Sequence, residues 1–183
     1  MDESKLIELS KKQNKKALSI LLSNNYSIVY GYLLKLSYNE EIAKDVTQET
    51  MVRAILNIEG FKGQSKFSTW LIQIANNYYL NMKKKDRRLL FTDIDILDVF
   101  ALEIESIEDQ YIKKDRFIRV MTLLKTYKET QRMPFILKHY YGYSYDEIAS
   151  ILNCPIGTVR SRIHNTIKKL QSELKGDSNE NMS

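Results

Sequence analysis

Apolar residues recur three or four apart along most of the chain, the spacing that lines one face of an α-helix. Leu6, Leu9, Ala17, Leu18, Leu21 and Leu22 predict a first helix interrupted near Lys11–Asn14, and Ile28, Val29, Tyr32, Leu33 and Leu36 predict a second. Asn39 is placed to cap a third helix, which Ile42, Ala43, Val46, Val52, Ile55 and Leu56 carry to Ile58. The pattern breaks from Gly60 to Gly63. Ser65 or Ser68 can cap the next helix, whose Trp70, Leu71, Ile74, Ala75, Tyr78 and Leu80 run into Lys83, Lys84, Lys85, Arg87 and Arg88.

The pattern then fails. From Thr92 to Gln110 there are seven acids and no Lys or Arg, and the apolar residues have no clean period, which predicts a linker. Beyond it, Phe117, Val120, Met121 and Leu124 share one face of a helix over Ile112–Leu124. Pro134 is expected to open the following helix, at the position where its missing N–H does no harm. Two further helices span Tyr143–Leu170, and the polar tail Gly176–Ser183 is expected to fray. The fold class is therefore all-α. Two small helical domains, 1–91 and 111–175, are joined by the acidic linker 92–110 and followed by a disordered tail, 176–183. With 6 Gly and 2 Pro in 183 residues, helix is favoured over sandwich or barrel.

Composition narrows the chemistry. A formal net charge of +5 suits a polyanionic partner. The single cysteine, Cys154, excludes an internal disulfide and a cysteine cluster for zinc. His139 and His164 have no metal-binding motif around them, so no metal and no cofactor is expected. The N-terminus lacks the apolar core of a secretory signal and no apolar run is long enough to span a bilayer, so the cytoplasm is the expected compartment.

In "YSYDEIASILNCPIGTVRSRIHNTIKKL", Ser144 and Glu147 have capping-box spacing, and Ile148, Ala149 and Leu152 are expected to face inward. Asn153 occupies a turn where left-handed backbone is tolerated, and Pro155 can start the second helix. Val159, Ile163, Ile167 and Leu170 share that helix's inner face. Gly157, Ser161, His164 and Lys168 then point outward, flanked by Thr158, Arg160 and Arg162. A lone helix with these arginines would be an ordinary solvated surface. Cap, turn residue, small Ala149 and basic outer face together make a helix-turn-helix that enters a DNA groove.

The N-terminal half differs. Asp45, Gln48 and Glu49 fall on one helix face with no carboxylate–histidine set nearby, which leaves a solvated acidic face or a protein-docking face. Phe61, Phe67 and Trp70 are assigned mainly to packing. Asn76, Asn77, Tyr78, Tyr79 and Asn81, next to the Lys/Arg run, suit single-stranded nucleic acid, where bases stack and phosphates are neutralised.

"DVTQETMVRAI", "FKGQSKFSTWLIQIANN" and "SYDEIASILNCPIGTVRSRI", in that order, resemble the extracytoplasmic-function (ECF) sigma factors of bacterial RNA polymerase, over nearly the whole chain. The resemblance implies a promoter-specificity subunit that is not itself an enzyme. Its partners would be the polymerase core, promoter DNA as duplex and melted strand, and an anti-sigma factor. It assigns Asp45, Gln48 and Glu49 to core docking. It assigns Lys66, Thr69, Trp70, Asn77, Asn81, Lys84 and Arg87 to the minus-ten element, with Asn77 where a flipped base is held. Tyr145, Thr158, Arg160, Ser161, His164 and Lys168 would read the minus-thirty-five element. Asn153 replaces a frequent glycine, Asn165 a frequent arginine and Asn81 a common acid. The competing readings are a stand-alone helix-turn-helix regulator, which leaves the Asn/Tyr/Lys block unexplained, and a nucleic-acid enzyme, which lacks a catalytic cluster.

Overall fold

The described residues form helices joined by turns and short loops, with no strand among them, in the computed structural model, which describes residues 2–85, 99–100 and 111–180, with 111–112 and 176–180 as backbone alone. Arg87, and the expected linker apart from residues 99 and 100, lie outside the described residues. The chain divides into two compact units, residues 1–91 and 92–183.

The first unit holds α1 (Glu3–Lys11), α2 (Lys15–Ser37), α3 (Glu40–Asn57), a 3-10 turn (Ile58–Gly60) and α4 (Phe67–Lys85). The expected interruption after Lys11 is present. Gln13 adopts a left-handed φ of 62°, and the Asn14 side chain accepts from Ala17 N at 3.0 Å to begin α2. The expected break between Leu22 and Ile28 is absent, because α2 is continuous. Asn25 sits inside it, buried, and its side-chain amide donates to the Leu21 carbonyl at 2.9 Å, so the polar run stays within the helix. Asn39 caps α3 by accepting from Ile42 N at 2.9 Å. Neither expected serine caps α4. The helix begins at Phe67, which puts Ser68 inside its first turn, and the Ser65 hydroxyl donates to the Lys66 carbonyl instead.

Leu21, Val29, Tyr32, Leu33 and Leu36 of α2 are buried, as are Ala43, Val46 and Ala54 of α3 and Phe67, Leu71, Ile72, Ala75 and Tyr79 of α4. Burying each large apolar side chain contributes about 1.5–3 kcal/mol. Val52, Ile55 and Leu56 depart from the apolar pattern that predicts α3. They are 49%, 47% and 76% exposed.

The second unit holds α5 (Tyr111–Lys125), α6 (Glu129–His139), α7 (Tyr145–Leu152) and α8 (Ile156–Glu180). Pro134 does not open α6 but lies within it. The helix is nucleated upstream, where the Lys128 carbonyl accepts from the amides of Gln131 and Arg132. Arg132 is fully buried, and one terminal nitrogen donates to the Lys125 carbonyl at 3.0 Å, fastening the α5–α6 turn. Phe100, within the expected linker, is buried against Phe117 and Tyr140, at ring-centre distances of 5.7 and 5.4 Å. Helix α8 runs through Gly176 to Glu180, into the stretch expected to fray.

Candidate DNA and protein interfaces

The α7–α8 pair forms as its residues dictate. The Ser144 hydroxyl accepts from Glu147 N at 3.2 Å while the Glu147 carboxylate accepts from Ser144 N at 2.8 Å, a complete capping box. Asn153 ends α7 at φ 47°, in the left-handed region, and Cys154 N donates back to the Ala149 carbonyl at 3.1 Å. Ile148 and Ile151 are the buried residues of α7, whereas Ala149 and Leu152 are half-buried, so the inner face is rotated by one residue from the expected one. On α8, Val159, Ile163 and Leu170 are buried as expected, but the fully buried fourth member is Thr166 rather than Ile167. Thr166 is accommodated because its hydroxyl donates to the Arg162 carbonyl at 2.8 Å.

The outer face of α8 presents Arg160, Ser161, His164 and Lys168 exposed, with Thr158 half-buried. Tyr145, at the start of α7, joins this surface. The Arg160 guanidinium lies 5.5 Å from its ring centre and Lys138 Nζ 4.7 Å from it, so two cations share one aromatic ring. Lys138 was not legible as part of this surface, since it belongs to another helix. Elsewhere in the second unit, the Tyr127 hydroxyl donates to the Glu173 carboxylate at 2.6 Å, and Lys169 Nζ sits 3.9 Å from the Tyr127 ring centre. Burial, and then the Glu173 carboxylate, push the Tyr127 phenol well above the ordinary tyrosine range.

In the first unit, Asp45 and Gln48 are exposed and Glu49 is half-buried. Val52 and Leu56 continue the same α3 face at offsets of three and seven from Glu49, and Ile55 flanks them. The acidic stripe thus runs into an exposed apolar one. Sequence periodicity cannot distinguish these residues from core, because they obey the same spacing.

Around the corner, Arg53, Asn57, Gly60, Trp70, Ile74 and Asn77 line a cleft of about 410 Å³. Trp70, which lines it, packs with the buried Phe61 and Phe67 at ring-centre distances of 5.3–5.4 Å. Trp70, Ile74, Asn77, Asn81 and Lys84 are spaced four, three, four and three along α4 and form one accessible stripe. Lys66 is exposed at the mouth of the preceding loop. Thr69 departs from expectation. It is only 2% exposed, so its side chain belongs to the core rather than to a DNA surface. Asn76 and Tyr79 are also buried, and Asn76 Oδ1 accepts from the Tyr32 hydroxyl at 2.8 Å, a core role for an amide that composition assigns to nucleic acid. Arg53 was missed. Its Nε donates to Glu49 Oε1 at 2.7 Å and its guanidinium lies 4.7 Å from the Tyr78 ring centre. Among the described residues no group of three or more His, Cys, Asp or Glu is placed to hold a metal ion, and no helix is long and apolar enough to cross a membrane.

Residues 21–89 match the family model of sigma-70 region 2, and residues 118–170 that of sigma-70 region 4. The chain is 30% identical over 182 residues to the ECF RNA polymerase sigma-E factor of Haemophilus influenzae, covering 95% of this chain and 96% of that protein. Among solved structures it is similar in fold to CnrH, described in complex with the cytosolic domain of CnrY. The TM-score is 0.66 at 20% identity, over 94% of this chain and 96% of that one. It is also similar to the sigma factor RpoE of Bartonella quintana, described in complex with the anti-sigma factor NepR. There the TM-score is 0.59 at 24% identity, over 90% of this chain and 98% of that one.

Proposed function

The chain belongs to the extracytoplasmic-function (ECF) sigma factors of bacterial RNA polymerase, and from that membership we propose how its surfaces divide the work of promoter recognition. The factor binds the polymerase core in the cytoplasm and directs it to promoters, while the polymerase performs the chemistry. The α3 face from Asp45 through Gln48 and Glu49 to Val52 and Leu56 docks on the core. Exposed carboxylates steer the encounter, and the apolar side chains supply buried area once docked. The Trp70–Asn77 cleft takes a base flipped out of the minus-ten element, with Asn77 reading its edge. Lys66, Lys84 and Arg87 neutralise phosphates along the melted strand, and the uncharged Asn81 amide hydrogen-bonds to it. Tyr145, Thr158, Arg160, Ser161, His164 and Lys168 read the minus-thirty-five duplex from the major groove. An anti-sigma factor is the natural antagonist, because a protein covering the exposed α3 face would keep the core away.

The observation that carries this reading is the continuous acidic-to-apolar stripe on α3, beside a cleft lined by Arg53, Asn57, Trp70 and Asn77. An apolar side chain such as Leu56, 76% exposed, is explained by a partner that covers it. The test is gel filtration with bacterial core polymerase. The wild-type factor co-elutes with the core, and the Asp45→Ala/Glu49→Ala variant co-elutes weakly. Equal co-elution of both would remove Asp45 and Glu49 from the docking face, whereas tight duplex binding by the factor alone with no co-elution would support a stand-alone regulator.

A further inference from the structure

Arg53 stands between the two surfaces of the first unit. Its Nε is held by Glu49, one turn back on α3, at 2.7 Å. Its guanidinium lies across the Tyr78 ring, and its side chain lines the cleft with Trp70 and Asn77. The two terminal nitrogens of Arg53 donate to no oxygen among the described residues, and the second carboxylate oxygen of Glu49 accepts from none. Each member of the pair therefore has one edge engaged with the other and one edge open. The open edge of Glu49 belongs to the docking stripe, and that of Arg53 belongs to the cleft.

We propose that Glu49 is a positioning residue for strand capture as well as a docking residue: bound to a cation of the polymerase through its second oxygen, it fixes Arg53 across Tyr78, where the terminal nitrogens bind a phosphate of the melted strand. The inference rests on the docking and strand-capture roles assigned above. The side chains of Arg53 and Glu49 are 47% and 35% exposed, so in the free factor the pair is solvated and screened and holds the guanidinium only loosely. Docking takes Glu49 out of water and restricts its rotamers, which strengthens the bond to Arg53. A guanidinium held at one edge and stacked on a ring presents a fixed two-nitrogen fork, the geometry that suits a phosphate. Core binding and strand binding then strengthen each other by the same factor.

The test uses reconstituted holoenzyme on a promoter selected by the wild-type holoenzyme from a randomised duplex library. Core affinity is measured by fluorescence titration. Melting is measured by permanganate reactivity of the opened thymines, with enough factor present to saturate the core. Arg53→Ala is expected to keep core affinity within about twofold and to lower melting by at least about tenfold, the loss expected of even one of the fork's charge-assisted hydrogen bonds. Glu49→Gln is expected to weaken core affinity and, at saturation, to lower melting as much as Arg53→Ala does. The double variant melts no worse than either single one. Asp45→Asn, a docking residue with no contact to Arg53, weakens core affinity, and excess factor restores its melting. Melting by Glu49→Gln that excess factor fully restores would overturn the proposal, as would losses that multiply in the double variant, or a saturated Asp45→Asn holoenzyme that melts as poorly as Glu49→Gln. Unchanged core affinity in both Asp45→Asn and Glu49→Gln would instead remove the docking assignment, a different outcome from any of these.

Discussion

At the scale of single residues, the same side-chain type takes opposite roles depending on where its helix turns it. Asn76 and Asn77 are neighbours in sequence, yet one is tied to Tyr32 in the core and the other lines the cleft. Arg132 is fully buried at a turn, whereas Arg160 is exposed against Tyr145. On the proposed reading, replacing Arg160 by Ala removes a contact to the upstream duplex. It should cost about 1–3 kcal/mol of binding by the holoenzyme, measured by competition between a selected promoter and non-specific duplex. Equal competition by wild type and variant would remove Arg160 from the reading surface. Tyr127 gives a pH signature. Its folded-state ionisation is raised by burial and by Glu173, so between the unfolded and folded values the folded chain keeps a proton that the unfolded chain gives up. The stability it contributes is fully present below about pH 10 and is lost as pH rises beyond that. Tyr127→Phe should lower stability near neutrality by about 1–2 kcal/mol. It should also flatten the alkaline loss, which urea titrations on either side of that pH would register.

At the scale of elements, caps and turns decide where helices begin and cores decide how far they continue. Ser144 and Glu147 close a capping box on α7, a helix of 8 residues with little length to stabilise itself. Ser144→Ala should cost about 1 kcal/mol, read as a lower urea midpoint, and Ser144→Asp should recover most of it. A midpoint unmoved by Ser144→Ala would mean that packing of Ile148 and Ile151 alone fixes α7. Helix α2 shows the opposite balance. The Ser23–Asn25 run ought to weaken it, but Leu21, Val29 and Leu33 are buried on both sides and the backbone stays helical between them. Tertiary burial outweighs local propensity here, because each propensity penalty is well under 1 kcal/mol and each buried apolar side chain contributes more than that.

At the scale of the whole molecule, each of the two units carries its own core, with Leu21, Leu33, Phe67 and Leu71 in one and Leu137, Ile148, Val159 and Ile163 in the other. Leu71→Ala leaves a cavity in the first and should cost it about 2–5 kcal/mol. Calorimetry should then resolve one transition shifted to lower temperature and a second left in place. A single transition moving as a whole would mean that the cores unfold together. Two modules on one chain also suit promoter reading, because occupation of one element raises the effective concentration of the other module at its own element.

The sequence by itself determined the all-helical class, the positions of most helices, the capping box at Ser144, the left-handed turn at Asn153 and the family of the chain. These depend on local rules, namely spacing, caps, turn chemistry and motif order, that act over a few residues. It also placed Asp45, Gln48 and Asn77 on accessible faces. The tertiary structure alone decided which apolar residues of α3 are core and which are surface. Val46 and Val52 fit the same periodic pattern, and only the packing of α2 and α4 against one side leaves Val52 outside. Tertiary structure likewise withdrew Thr69 and Asn76 into the interior, brought Lys138 to Tyr145, and set Arg53 across Tyr78 from another helix. Contacts between helices depend on how whole elements are rotated and placed against one another, and no spacing along a single helix encodes that.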